Sequence, residues 1–260
     1  MRAWENSAAA YERSFARLCA GTVGDILRRS GPGDPGRRLL DIGTGPGTVA
    51  AAARDRGYTV LGLDSDRSMI ALALRRHPGI GFGRAAIQSL PCRDQTFDVI
   101  TANFVINHVP DPRSATRELF RAVRSGGRFV ATIWTSQPGP LNRLWDQVMA
   151  QAAISPRSGS RLPPELDFER TAEGFGGLLA EAGFEHVDCR ELRWTFEIRP
   201  DALWSAVEAG IAGIGQTFCS QDAAGRERMR AAYAEITATD RSGVLKLPSL
   251  ALIASADRVR

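Results

Sequence analysis

Apolar positions along the chain recur in two rhythms. From Ala8 to Leu27 they fall at helical spacing (Ala8, Tyr11, Phe15, Leu18, Cys19, Val23, Ile26, Leu27), which predicts a helix over this stretch. The run Ser30-Gly31-Pro32-Gly33-Asp34-Pro35-Gly36 ends it, because glycine and proline do not continue a helix. From Arg37 onward, short apolar runs alternate with helical stretches. Strands are predicted at Arg38–Ile42, Tyr58–Leu63, Ile80–Ala86, Phe97–Asn103 and Arg128–Trp134. Helices are predicted between them, at Gly47–Gly57, Asp66–His77 and Pro112–Arg124. Strands separated by helices of this length imply right-handed crossovers and a parallel sheet covered on both faces.

Beyond Trp134 the rhythm changes. Pro140–Ala153 reads as a helix, 154–168 as a loop, Thr171–Ala182 as a helix and Phe184–Ile198 as a strand. Pro200–Thr239 reads as two or three helices, and Val244–Ala256 closes the chain as a strand. The helical block between the last two strands is therefore expected to be an inserted lid. The organisation expected is an N-terminal helical segment (1–36), an α/β core (37–199 and 243–260) and the lid (200–242).

Composition narrows the class. A chain of 260 residues with 43% hydrophobic and 24% charged residues suits one compact domain, which buries roughly 70–75% of its unfolded surface. No apolar run approaches the ~18 residues of a membrane span. Glu5, Glu12 and Arg13 interrupt any apolar leader, so a cytoplasmic location is expected. Cys19, Cys92, Cys189 and Cys219 are widely spaced, with no Cys-x-x-Cys pair, so neither a disulfide framework nor a metal site is expected. The net charge is +4, but lysine occurs once, at Lys246, and the arginines are scattered. A nucleic-acid surface needs a concentrated basic stripe, so no nucleic-acid partner is expected; a small-molecule partner and a monomer or homodimer are the separate expectations for this chain.

The sharpest chemical signal is Leu40-Asp41-Ile42-Gly43-Thr44-Gly45-Pro46-Gly47, where a predicted strand ends and a helix begins. Glycine admits positive φ and close approach of a ligand, and a helix start offers unpaired N–H groups. Asp64 ends the next predicted strand, 17 residues after Gly47, where a carboxylate accepts hydrogen bonds from ribose hydroxyls. The dinucleotide fingerprint Gly-x-Gly-x-x-Gly is not met, since the third glycine comes one residue early and Thr48 fills its place. Asp41 beside the loop favours a ligand carrying an ammonium group over a pyrophosphate. An NAD-dependent oxidoreductase remains the alternative enzyme, and a non-enzymatic binding module the alternative class.

With these motifs in order, residues 37–130 resemble the class I S-adenosylmethionine-dependent methyltransferases, and among them the small-molecule family that includes the ubiquinone-biosynthesis methyltransferases. The resemblance rests on the glycine loop, on Gly62-Leu63-Asp64-Ser65-Asp66-Arg67-Ser68-Met69, and on Leu90-Pro91 leading to Phe97-Asp98-Val99-Ile100. It rests further on Asn107-His108-Val109-Pro110-Asp111-Pro112, and on Glu118-Leu119 with Gly126-Gly127. It implies a Rossmann-like doubly wound α/β fold with a mostly parallel seven-stranded sheet. It also implies methyl transfer from S-adenosylmethionine to oxygen, nitrogen or activated carbon of a small apolar or aromatic metabolite, as in secondary metabolism. Asp41, Gly43, Thr44, Gly45 and Gly47 would hold the methionine end and Asp64 the ribose. Ser65 and Met69 would flank the adenosine, Ile87 would lie beside the adenine, Asn103 beside the methionine moiety, and Tyr11 would close over the cofactor. Many members carry an acid where this chain has Ala86, so the adenine would be read by Gln88, Ser89 or backbone carbonyls.

Methyl transfer needs alignment more than a metal or a covalent intermediate, and a base only where the acceptor must lose a proton. His108 follows the fourth strand, at the end of the sheet where open α/β folds bind ligands, and an imidazole titrates near neutrality. His108 is the candidate base and Asn107 the candidate orienting residue, against the alternative that both simply pack the loop. Trp145, Phe168, Phe175, Trp194, Phe196, Trp204, Phe218 and Tyr233 are available either to shape an apolar pocket or to bury the lid.

Overall fold

Each central strand sends alternate side chains to opposite faces of one sheet, and this divides the core in two. The computed structural model describes residues 8–156, 162–238 and 243–259. Its elements are α1 (Ala8–Arg13), α2 (Phe15–Ala20), α3 (Val23–Ser30), β1 (Arg38–Ile42), α4 (Thr48–Asp55), β2 (Thr59–Asp64), α5 (Arg67–Arg76), β3 (Gly81–Arg84) and β4 (Phe97–Asn103). A 3₁₀ turn (Ile106–His108) leads into α6 (Pro112–Ala122), β5 (Val123–Trp134), α7 (Pro140–Gln151), α8 (Ala172–Glu181), β6 (Glu185–Ile198), α9 (Pro200–Glu208), α10 (Ala212–Cys219), α11 (Ala223–Thr237) and β7 (Leu245–Arg258).

The seven strands lie in the order β3-β2-β1-β4-β5-β7-β6. The first five pair in parallel, and β7 runs antiparallel to β5. On one face Leu40, Ile42, Ile100, Ala102, Phe129, Ala131 and Ile133 pack against Leu119 of α6 and Phe175, Leu178 and Leu179 of α8. On the other, Leu39, Val99 and Val130 pack against Ile26 and Leu27 of α3 and Val49 and Ala53 of α4. The interleaving of the two sets along β1, β4 and β5 is the period-2 alternation of a strand buried on both faces.

Local chemistry sets the helix starts. The Asp66 carboxylate accepts from Ser68 N at 2.7 Å and caps α5, and Asp111 accepts from Ser114 N at 2.9 Å ahead of Pro112 at the start of α6. Each such cap is worth about 1 kcal/mol. Glu118 Oε1 accepts from Leu90 N at 2.8 Å and pairs with Arg121 at 2.7 Å, so this motif glutamate ties the loop before β4 to α6.

The N-terminal helix departs from expectation. It is three short helices, not one. Ser14 turns its hydroxyl back to the Ala10 carbonyl at 2.6 Å, and its backbone leaves the helical region (φ −123°, ψ −95°). A hydroxyl that competes for a helix carbonyl disfavours continuation. Gly21 and Thr22 make the second break.

The chain divides into two compact units. One comprises residues 22–136, 162–192 and 250–260; the other comprises 1–21, 137–161 and 193–249. The second collects α1, α2, α7 and α9–α11, so it draws on the N-terminal segment and the α7 region as well as on the helices before the last strand. Its interior is an aromatic run: Trp145 stacks on Tyr233 (centroids 5.6 Å), Tyr233 on Trp204 (4.8 Å), and Trp204 meets Phe218 edge-on (5.4 Å).

Candidate active site

The parallel strands β1, β2, β4 and β5 end side by side, and the motif residues gather there. Asp41 pairs in register with Gly62 of β2 and Thr101 of β4, which puts it at the centre of this end of the sheet. Its carboxylate is buried, accepting from Thr101 Oγ1 at 2.8 Å and from Thr44 Oγ1 at 2.6 Å. Burial pushes its pKa up to about 6, against the two hydroxyls that favour the ionised form.

The glycine loop folds across the end of β2. Thr44 N donates to the Leu63 carbonyl at 3.0 Å, and Gly45 N donates to Asp64 Oδ2 at 2.9 Å. Asp64 Oδ1 accepts from Asp66 N at 2.9 Å. A carboxylate offers about four acceptor positions, so Asp64 retains capacity for a ligand hydroxyl. Asp64 is half-buried, and desolvation raises its pKa. Gly43 (φ +64°) and Gly47 (φ +85°) are in the left-handed region that favours glycine. A Cβ at Gly43 would meet Val105 Cγ2 at 2.3 Å, and one at Gly47 would meet His77 and Phe82 carbons at 2.8 and 2.9 Å. The cradle therefore requires glycine at both positions.

Ser65 follows Asp64, and its carbonyl accepts from Arg84 Nε at 3.0 Å. Met69 is buried on α5. Ala86 is exposed and forms a bridge with Ser89, whose N donates to the Ala86 carbonyl at 3.1 Å, while Ile87 beside it is buried. Tyr11 belongs to the other compact unit, where its hydroxyl donates to Cys19 Sγ at 3.8 Å.

At the ends of β4 and β5 the structure shows connections that the sequence reading missed. Asn103 Oδ1 accepts two hydroxyls, Thr22 Oγ1 at 2.8 Å and Thr132 Oγ1 at 2.6 Å. Thr132 Oγ1 in turn accepts from Phe104 N at 3.0 Å. Phe104 adopts φ +57°, a strained conformation for a bulky residue, and its ring stacks on Trp134 with centroids 3.9 Å apart. Asn107 reaches the same tryptophan: Oδ1 accepts from Trp134 N at 2.9 Å, and Nδ2 donates to its carbonyl at 3.4 Å. His108 ends the 3₁₀ turn with its imidazole exposed and, among the described residues, without a hydrogen-bond partner. Desolvation by the surrounding atoms lowers its pKa. That shift favours the neutral imidazole, the form a base requires.

Residues 40–131 match a family model described as a methyltransferase domain. The demethylmenaquinone methyltransferase of Renibacterium salmoninarum is 31% identical over 189 residues, which span 69% of this chain and 76% of that protein. The chain belongs to the class I S-adenosylmethionine-dependent methyltransferases, in the ubiquinone-biosynthesis-like family.

A ubiquinone/menaquinone biosynthesis C-methyltransferase of Vibrio campbellii is 31% identical over 175 residues, covering 59% of this methyltransferase and 66% of the relative. The Haemonchus contortus phosphoethanolamine N-methyltransferase 2, solved with phosphomonomethylethanolamine and S-adenosylhomocysteine, shares the fold. Its TM-score is 0.58, with 20% identity over 97% of this chain and 57% of that one. The methyl donor is S-adenosylmethionine, and the NAD alternative is set aside. Among the described residues no helix is long and apolar enough to cross a membrane.

Proposed function

We propose that this methyltransferase acts on a small apolar or aromatic acceptor seated at the carboxyl ends of β4 and β5, in the cytoplasm. The relatives named for demethylmenaquinone and for carbon methylation favour an electron-rich ring carbon next to a hydroxyl. When bound, S-adenosylmethionine supplies a methyl group on a good sulfonium leaving group.

This reading gives each residue a role. The Gly43–Gly47 bend and Asp41 receive the aminoacyl end of the donor, and the Asp64 carboxylate receives the ribose hydroxyls. Met69 and Ile87 line the adenosine, Ser65 and the Ala86 backbone bound it, and Asn103 faces the methionine moiety. His108 would take the proton of the acceptor hydroxyl and so raise electron density at the adjacent ring carbon; S-adenosylmethionine, when bound, would supply the methyl as S-adenosylhomocysteine leaves, and the ring carbon's own proton would then be lost to restore the aromatic ring. Asn107 is a positioning residue, holding the Trp134 backbone and with it the Phe104–Trp134 stack that forms an apolar wall. Orientation and exclusion of water then supply most of the acceleration.

The observation that carries this reading is the exposed His108, two residues after Ile106 and four after the strained Phe104, at the strand ends where the donor cradle lies. Incubation with S-adenosylmethionine and a 2-prenyl-1,4-naphthoquinol, a monocyclic phenol or an aliphatic amine, followed by mass spectrometry, tests it. Gain of one methyl by the aromatic acceptors is expected. Methylation of the amine alone would overturn the assignment.

A further inference from the structure

The opposite end of the sheet carries a second polar site. A cleft of about 440 Å³ lies where β1, β5 and β6 begin and β7 ends, within the larger unit. The strand residues Arg128–Trp134 separate it from the Trp134 end of β5, a distance of about 20 Å. Its polar lining is Arg37, Arg128, Arg258, His186 and Asp257.

The charges in this cleft do not balance. Arg128 grips Asp257 with two hydrogen bonds, Nε–Oδ1 at 2.7 Å and Nη2–Oδ2 at 3.0 Å, and that pair is neutral. Arg37 and Arg258 have only neutral acceptors. Arg37 Nη1 donates to the Pro32 carbonyl at 2.8 Å, and Arg258 Nη1 to the carbonyls of Phe120, Arg121 and Val123 at 2.7, 3.2 and 3.1 Å. Among the described residues no carboxylate pairs with either guanidinium. The Nε and Nη2 groups of both carry no hydrogen bond among those residues.

Two further observations lie next to the cleft, where Arg29 precedes the lining residue Ser30 and its carbonyl accepts from Arg128 Nη1 at 3.2 Å. Ser255 and Asp257 are two apart on β7 and so share a face. Arg29 Nη1 donates to Ser255 Oγ at 3.0 Å and to Asp188 Oδ2 at 2.9 Å, while its Nη2 is buried without an acceptor, on a side chain only 9% exposed. A buried donor left unmade is costly, and native structures keep few of them. His186, at the rim, holds φ +49°, with Nδ1 3.6 Å from Asp257 Oδ2. Strain of this kind collects at ligand sites.

We infer that this cleft binds a phosphorylated small molecule, held by Arg37 and Arg258, as an effector site remote from methyl transfer. Planar guanidinium forks match phosphate oxygens, and two of them line this cleft without a carboxylate partner among the described residues. The volume exceeds that of a bare anion and suits a phosphomonoester of sugar size.

Calorimetric titration of the protein saturated with S-adenosylhomocysteine tests this, with inorganic pyrophosphate and ribose 5-phosphate as probes, citrate as the carboxylate control, and sodium chloride holding the ionic strength. The expected result is saturable binding of both phosphate probes, tighter than citrate, and weakened about tenfold by Arg37→Gln and by Arg258→Gln. Arg37→Gln removes one hydrogen bond to a loop carbonyl and a 5.7 Å contact with the Tyr58 ring, so its S-adenosylhomocysteine affinity should be unchanged and its unfolding temperature nearly so. The His186 imidazole proton resonance, assigned by its loss in His186→Gln, should shift on adding pyrophosphate. No saturable binding, binding equal in the arginine variants, or retention of an oligonucleotide but of neither phosphate probe would overturn the proposal.

Discussion

Asn107 closes its whole side-chain amide on one residue, accepting from Trp134 N at 2.9 Å and donating to Trp134 O at 3.4 Å. The clamp joins the loop after β4 to the end of β5 across 27 residues of sequence. A group so engaged acts by holding Trp134, not by exchanging protons with an acceptor. Asn107→Ala removes both hydrogen bonds to the Trp134 backbone, a loss of about 1–3 kcal/mol. We expect the acceptor KM to rise with S-adenosylhomocysteine affinity held, and Trp134 fluorescence to change. Steady-state kinetics with calorimetry checks this, and a fall in kcat alone would speak for a direct chemical role.

For His108, desolvation favours the neutral imidazole in the free enzyme. Activity should therefore fall only as pH drops below the usual histidine value of about 6.5, because a lowered pKa delays protonation. His108→Ala should cost about 10²–10⁴-fold in kcat and remove the acidic limb of the profile, with donor affinity intact. A pH–rate series on both proteins reads it.

Asp41, in its proposed role as acceptor of the donor's ammonium, makes donor binding pH-dependent. Its carboxyl is raised to about 6, so between its unfolded value near 4 and pH 6 the folded chain holds the extra proton. Stability from this group is greatest at low pH and declines as pH rises through 6, by about 3 kcal/mol in total. A bound ammonium favours the ionised form. S-adenosylhomocysteine affinity should thus rise about tenfold from pH 5 to 7, with proton release, and Asp41→Asn should flatten that dependence. Calorimetry in buffers of different ionisation enthalpy measures both.

Gly47→Ala should weaken the fold and the site together. The new methyl would sit 2.8 Å from His77 and 2.9 Å from Phe82 at φ +85°. Strain at such a position costs on the order of 1–3 kcal/mol. Urea unfolding should show a lower midpoint at unchanged slope, and donor binding should fall with it.

Much of this was legible in the sequence because it is local. β4 occupies Phe97–Asn103 as its apolar run predicts, and the glycine bend and Asp64 follow their strands within a few residues. The break at Ser14 was hidden, because the apolar spacing passes through it and only a hydroxyl turned back to Ala10 reveals the competition. Thr22, Thr132 and Asn103 were invisible as a set, since Thr22 meets Asn103 across 81 residues and no period connects them. The left-handed Phe104 was equally hidden, as nothing in its side chain asks for that backbone. Trp145, Trp204, Phe218 and Tyr233 pack on one another, a grouping that their positions in the sequence do not announce.

The central claim is that the bend at Gly43–Gly47 and the Asp64 carboxylate together hold the methyl donor. Titration of S-adenosylhomocysteine into the wild-type chain and Asp64→Ala tests it most directly. The account predicts one tight site in the wild type and a loss of about 1–3 kcal/mol in the variant, the cost of ribose hydroxyls left unpaired. An unchanged dissociation constant in a folded Asp64→Ala protein would contradict it.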